Sequence, residues 1–202
     1  MSLGSGIRHR RDALRRAGLQ PGMNVLDVCS GSGQLARAAE ELTRAEAWVV
    51  GVDVSIRMLR EARQFVSAPP VQGFAEELPI GDETFDMVTV GYGLRHMADL
   101  GVAFREFHRV LRPGGRLLLI ELTRPRSPAA RRVVRFYIRY LIPALARLMG
   151  RNLNTLLEYL WDTIDNCVPP EIVIATLADA GFDEPSRFGQ IELLSEYTAA
   201  RP

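Results

Sequence analysis

The chain has 202 residues, 47% of them hydrophobic, enough to bury one substantial core, and a single domain over residues 1–202 is expected. A net charge of +1 supplies no global field, so nucleic acid is not expected as a partner. All 25 basic residues are arginine, which excludes Schiff-base and other lysine-dependent chemistry. Cys29 and Cys167 stand in no metal or redox spacing, which fits a reducing cytoplasm, and no apolar leader opens the chain. His9, His96 and His108 also lack ligand spacing, so no metal is expected.

In chain order, Arg8 to Ala17 reads as a helix closed by Gly18, and Met23 to Cys29 as a buried strand. Gln34 to Leu42 is helical, Ala47 to Asp53 is the second strand, and Ser55 caps a helix reaching about Phe65. Pro69-Pro70 precedes a short third strand, Val71 to Ala75, and Phe85 to Tyr92 is the fourth. Asp99 to Leu111 is a helix that stops at Pro113-Gly114-Gly115, and Arg116 to Leu122 is the fifth strand. Strands alternating with helices imply a doubly wound, mostly parallel sheet, because each parallel crossover needs a covering helix.

After Pro125 the pattern changes. Ala129 to Leu148 and Leu153 to Asn166 are helical with no strand between them, an insertion over about 126–168 expected to cover the carboxyl ends of the strands. A helix from Glu171 to Ala180 and two β-like runs, Glu184 to Phe188 and Ile191 to Thr198, close the chain. The expected fold is therefore α/β, with a seven-stranded Rossmann-like sheet. Eight arginines fall between Arg124 and Arg151. They read either as a solvated helix face or as a basic amphipathic surface that meets a membrane or a lipid-like substrate. Arg135, Arg139, Arg147 and Pro143 interrupt Val133 to Met149, which is therefore not a membrane span.

The first strand runs into Cys29-Ser30-Gly31-Ser32-Gly33, and the second ends in the acid Asp53. This arrangement suits an adenosine-bearing cofactor, with backbone close to the ligand at the glycines and a carboxylate for two ribose hydroxyls. Gly31-x-Gly33 alone leaves dinucleotide and sulfonium cofactors open. Asp27, inside the strand, suits an ammonium group better than a pyrophosphate, and the Pro113-Gly114-Gly115 turn has no role in a dinucleotide reading.

These features resemble the class I S-adenosylmethionine-dependent methyltransferases. Tyr92-Gly93-Leu94-Arg95-His96, His108 to Arg116, and Glu121-Leu122-Thr123-Arg124-Pro125 resemble characteristic runs of the ubiquinone/menaquinone biosynthesis C-methyltransferase family. The likeness reaches from the first residue to about Phe182 and is strongest between Asp82 and Pro125. It implies S-adenosyl-L-methionine as cofactor, with Asp27, Gly31 and Gly33 at its methionine part, Asp53 at the ribose, and Val54 and Met58 near the adenine. Gly73-Phe74-Ala75-Glu76 matches the family's adenine segment, with Phe74 where an acid usually stands, so that either Phe74 packs on the purine or nearby backbone takes over. Cys29 and Gly91, at two strand ends, complete the expected cofactor set.

Two departures accompany the likeness. Met1 to Arg10 resembles an internal family segment, so Met1 is read as an internal methionine with a Tyr-Asp-containing lid helix encoded upstream. The family's substrate-side helix is altered at Leu157 to Thr163, and its ending is replaced at Phe188 to Leu194.

The implied reaction methylates a ring carbon of a prenylated quinol such as demethylmenaquinol, and a base must remove a phenolic proton. His96 is the first candidate, and Arg95 is expected to orient an acceptor oxygen or stabilise a phenolate. Tyr159 and Asp162 are further candidates. The alternatives are an O- or N-methyltransferase of secondary metabolism and a cofactor-binding homologue without turnover. A cytoplasmic enzyme is expected, peripheral to the inner face of the membrane through the Arg-rich insertion, with a homodimer as a further expectation.

Overall fold

The computed structural model describes residues 5–43, 47–64, 69–125, 127–143, 164–165, 167–191 and 193–202. Strands β1 (Val25–Val28), β2 (Val49–Asp53), β3 (Val71–Gln72), β4 (Phe85–Gly91), β5 (Leu111–Leu122), β6 (Asp183–Ile191) and β7 (Leu194–Ala200) form one sheet in the order β3-β2-β1-β4-β5-β7-β6. All pairs from β3 to β5 are parallel, and β7 runs antiparallel between β5 and β6. The helices are α1 (Ser5–Arg16), α2 (Gln34–Thr43), α3 (Ile56–Ala62), α4 (Leu100–Val110), α5 (Pro128–Phe136, continued by a π turn Tyr137–Leu141) and α6 (Pro170–Asp179).

The central strands are largely apolar because both faces of the sheet are covered. Leu26, Val28, Val88, Val90, Leu117 and Leu119 face α4 and α6, where Phe104, Phe107, Val173 and Leu177 complete one core. The alternate residues Val25, Val49, Met87, Leu118 and Ile120 face α1 and α2, meeting Leu14, Leu35 and Ala39 in a second. Strand alternation thus assigns every side chain to one layer, and Asp27, next to Leu26, points toward α2. The strand order reverses direction between β1 and β4, and the crevice above their carboxyl ends is where ligands bind in sheets of this kind.

Local boundaries differ from the sequence expectation where chemistry other than hydrophobic pattern decides them. β5 begins at Leu111, not Arg116, since Leu111 already pairs with Phe85 before the Pro113-Gly114-Gly115 interruption and pairing resumes at Arg116 with Met87. Arg201 closes that interruption: its amide donates to the Gly115 carbonyl at 2.8 Å, and its guanidinium donates to the His108, Arg109 and Leu111 carbonyls. A cation at the carboxyl end of α4 also opposes the helix dipole. β1 stops at Val28 because Cys29 turns to positive φ, and β3 ends at Gln72, with Phe74 in an isolated bridge to Glu77. α1 starts at Ser5, ahead of Arg8. In the insertion, Val134, Ile138 and Ile142 pack with Leu122 and Leu193, next to the end of β5.

Candidate active site

Three loops meet above β1, β2 and β4. The first leaves β1 through Cys29 and Gly31, both at φ 54°. Such a backbone costs on the order of 1 kcal/mol at a residue with a Cβ, and packing holds Cys29 there. A Cβ at Gly93 would lie 2.8 Å from the Cys29 Cβ, so only glycine lets the β4 loop close on the β1 loop.

Asp27 lies fully buried beneath the first loop. Its register neighbours are Gly51 on β2 and Thr89 on β4. Thr89 Oγ1 donates to Asp27 Oδ1 at 2.8 Å, and the Ala36 amide of α2 donates to Oδ2 at 3.1 Å. Burial pushes the Asp27 carboxyl up to about 7 against the pull of Thr89, Ala36 and the Arg10 charge. The group is therefore poised to ionise near neutral pH.

A cavity of about 180 Å³ opens over Asp27, lined also by Cys29, Gly31, Gly91, Tyr92 and Arg10. Arg10 reaches in from α1, its guanidinium carbon 5.8 Å from the centre of the Tyr92 ring. Ser30 Oγ, in the same lining, is buried without a hydrogen-bond partner. Acid, guanidinium and unmatched hydroxyl suit an amino-acid zwitterion, with its ammonium toward Asp27 and its carboxylate toward Arg10. These groups fit the methionine end of the expected cofactor.

Asp53 ties that loop to the next. Its Oδ2 accepts from the Gly31 amide at 2.9 Å and its Oδ1 from the Ser55 amide at 2.8 Å. Ser55 in turn caps α3 at the Met58 amide, leaving Met58 half-buried in the first turn. Beyond Asp53 a groove of about 430 Å³ is lined by Val54, Gly73, Phe74, Leu78 and Pro79. Val54 and Phe74 are 52% and 64% exposed, an apolar surface of the kind that takes a planar base. Ala75 is buried, and Glu76 turns away from this groove to accept the Ala98 amide at 2.6 Å. Gly33 stands at the start of α2 and accepts the Arg37 amide.

After β4, Leu94–His96 form a 3-10 turn. The buried Glu121, at the end of β5, holds this turn by accepting the Leu94 amide at 3.0 Å. Arg95 donates to the Tyr92 carbonyl at 2.6 Å and lies 3.7 Å from the Glu121 carboxylate. Burial raises the Glu121 pKa. His96 is exposed, and partial burial followed by the Arg95 charge lowers its pKa, favouring the neutral imidazole. Tyr159 and Asp162 lie outside the described residues.

The site therefore brings Asp27, Cys29, Gly31 and Gly91 to one cavity, and Val54 and Phe74 to a second, with Asp53 between them. Gly33, Met58, Ala75 and Glu76 belong to neither lining. Sequence reasoning missed Arg10, Ser30, Thr89 and Glu121. Thr89 had a signal, because aligning the apolar runs of β1 and β4 in parallel places it beside Asp27. Arg10 had none, being one of several arginines on a surface helix.

The sequence model of the ubiE/COQ5 methyltransferase family matches residues 1–188. The chain belongs to the ubiE/COQ5 methyltransferase family. It is a class I S-adenosyl-L-methionine-dependent methyltransferase. It is 34% identical over 159 residues to a demethylmenaquinone methyltransferase of Lysinibacillus sphaericus, a match covering 77% of this chain and 67% of that protein. The demethylmenaquinone methyltransferase of Geobacillus kaustophilus is 35% identical over 161 residues, covering 77% and 68%. Among solved structures, a SAM-dependent methyltransferase from Aquifex aeolicus aligns over all of both chains with a TM-score of 0.68 at 17% identity. Phosphoethanolamine N-methyltransferase 2 of Haemonchus contortus, solved with S-adenosyl-L-methionine, aligns over 96% of this chain and 52% of its own with a TM-score of 0.66 at 17% identity. At these identities the solved structures attest the fold of this ubiE/COQ5 family member.

Proposed function

We propose that this ubiE/COQ5 family member methylates a ring carbon of a prenylated quinol such as demethylmenaquinol, acting as one domain at the inner face of a membrane that it touches peripherally. The observation that carries this reading is a cavity over Asp27 whose acid and guanidinium suit a zwitterion, beside an apolar groove that suits a base, in a chain about one-third identical to demethylmenaquinone methyltransferases. When bound, S-adenosyl-L-methionine supplies an electrophilic methyl group on a sulfonium.

The protein's part is binding, alignment and proton management. Asp27 and Arg10 hold the ammonium and carboxylate of the methionine end, while Gly31, Gly33 and Cys29 let the backbone approach it. Asp53 takes the ribose hydroxyls, releasing one or both of its loop amides to them. Val54, Met58 and Phe74 flank the adenine, with Ala75 supplying backbone.

On the acceptor side, the neutral His96 imidazole takes the phenolic proton, which raises electron density on the ring carbon. Arg95, aimed by the Tyr92 carbonyl and Glu121, faces the resulting phenolate. The carbon that gains the methyl group then loses its own proton to solvent, restoring the aromatic ring, and protonated His96 returns its proton to the phenolate oxygen. Tyr159 and Asp162 remain proposed contributors to the acceptor side.

The test is a transfer assay with methyl-labelled cofactor and a panel of reduced quinones, phenols and amines, with products located by NMR. Label on a ring carbon of demethylmenaquinol is the expected result. Label on oxygen or nitrogen would establish the secondary-metabolism reading, and cofactor binding with no transfer to any acceptor would establish a homologue without turnover.

A further inference from the structure

A cleft lies away from the β1–β4 crevice, beside α5. We propose that this cleft, with the outer face of α5, binds anionic phospholipid headgroups at a bilayer surface; this rests on, and localises, the peripheral membrane contact proposed above. The cleft encloses about 600 Å³ and presents Arg124, Arg131, Arg132 and Arg135 against a wall of prolines. Asp165 pairs with Arg131 and lies 3.8 Å from Arg124. The described lining thus contains four arginines and no carboxylate, with Asp165 paired to Arg131 beside it. Guanidinium forks match phosphate oxygens in pairs, and phosphodiester headgroups suit a cleft of this charge.

The helix itself supplies an independent observation. Its inner face, Val134, Ile138 and Ile142, is spent on Leu122 and Leu193. Yet Val133, Phe136 and Tyr140, spaced to share the opposite face, are 67%, 61% and 59% exposed. The Phe136 and Tyr140 rings meet with centres 5.5 Å apart at a tilt of 39°, and Tyr137 is half exposed beside them. Arg132 and Arg139 border this face, and neither makes an ion pair with a described residue. Aromatic rings between arginines are the composition of an interfacial helix, in which rings enter the headgroup layer and arginine stems reach its phosphates. A second copy of the chain is a poorer occupant, because a two-fold contact through this face would set the two arginine rows against each other.

Among the described residues no helix is long and apolar enough to span a membrane. An acceptor with a prenyl tail resides in the bilayer, and the cleft follows directly on β5, whose end carries Glu121. Headgroup binding at the cleft would therefore set the carboxyl ends of the sheet against the membrane.

The experiment is co-sedimentation of the full chain with phosphatidylcholine vesicles, with or without phosphatidylglycerol. The expected result is binding that requires phosphatidylglycerol and is weakened by salt. Arg132→Gln with Arg139→Gln should lower partitioning by about twenty-five-fold, about fivefold for each arginine near the surface. Phe136→Ser with Tyr140→Ser should lower it without removing its salt dependence. Equal binding to neutral vesicles, no binding to either, or unchanged binding by both double variants would overturn the proposal. So would displacement by inorganic phosphate but not by chloride at equal ionic strength, which would mark a free-phosphate site. A doubled mass in solution that the aromatic variant reverts, with no vesicle binding, would assign the face to a second copy. Calorimetric titration of S-adenosyl-L-methionine into the same variants should match wild type, which confirms their folding and separates this outcome from failure of the cofactor site.

Discussion

Thr89 Oγ1 donates to Asp27 Oδ1 at 2.8 Å across two adjacent parallel strands, giving a fully buried carboxylate one side-chain partner. That bond stabilises the ionised form inside a core that otherwise rejects it. Thr89→Val keeps the shape and removes the donor, so the Asp27 carboxyl should rise further above its present value. Losing a hydrogen bond to a charged group costs about 1.5–3 kcal/mol. Affinity for S-adenosyl-L-methionine at pH 7 should fall by about tenfold or more, measured by calorimetric titration.

The raised Asp27 pKa has opposite consequences for folding and for binding. In the folded, ligand-free protein the group titrates at about 7, against 3.8 in its ordinary setting. Between these values the folded state holds a proton that the unfolded chain releases. Asp27 therefore contributes stability that is full below about pH 4 and lost as pH rises through about 7. Binding an ammonium group favours the ionised form, so cofactor affinity should rise from pH 6 to pH 7.5 with release of a proton. Buffers of different ionisation enthalpy report that proton in calorimetry. Asp27→Asn should bind weakly, with little dependence on pH.

His96 and the cofactor cavity are separable. His96→Gln should leave the cofactor dissociation constant unchanged and lower kcat by about 10²–10⁴-fold, the usual weight of a general base. Because the His96 pKa is lowered, the acid limb of the wild-type kcat profile should fall below pH 6.5, and it should vanish in the variant. A variant that retains both kcat and the acid limb would remove His96 from the mechanism.

Glu121 acts through the turn that carries Arg95 and His96. Glu121→Gln retains an acceptor for the Leu94 amide but weakens the hold on Arg95, so kcat should fall while cofactor affinity stays constant. Glu121→Ala leaves the buried Leu94 amide without its acceptor and should cost about 1–3 kcal/mol of stability. A merely structural residue would lower stability in both variants with no change in kcat per folded molecule.

Much of this frame is legible in the sequence because parallel strands buried on both faces read as apolar runs. Val25–Val28, Val49–Asp53 and Phe85–Gly91 fall inside the expected strands, and the glycine turn and Asp53 follow directly from their ends. What the chain conceals depends on contacts distant in sequence. The early start of β5 rests on Arg201, whose amide and guanidinium close the Pro113-Gly114-Gly115 interruption from the far end of the protein. Arg10 enters the cavity over Asp27 only because α1 packs on α2, which no local pattern encodes. Glu76 belongs to a recognisable segment, yet the Ala98 amide competes for its carboxylate and draws it from the groove.

The central claim is that the loops after β1 and β2 form one cofactor site joined at Asp53. Calorimetric titration of S-adenosyl-L-methionine into wild type and Asp53→Ala tests it directly, with circular dichroism confirming that both are folded. The wild type should bind one equivalent, and the variant should lose at least about 1.5–3 kcal/mol, the weight of hydrogen bonds to a charged group. Equal affinity in the two proteins would contradict the assignment.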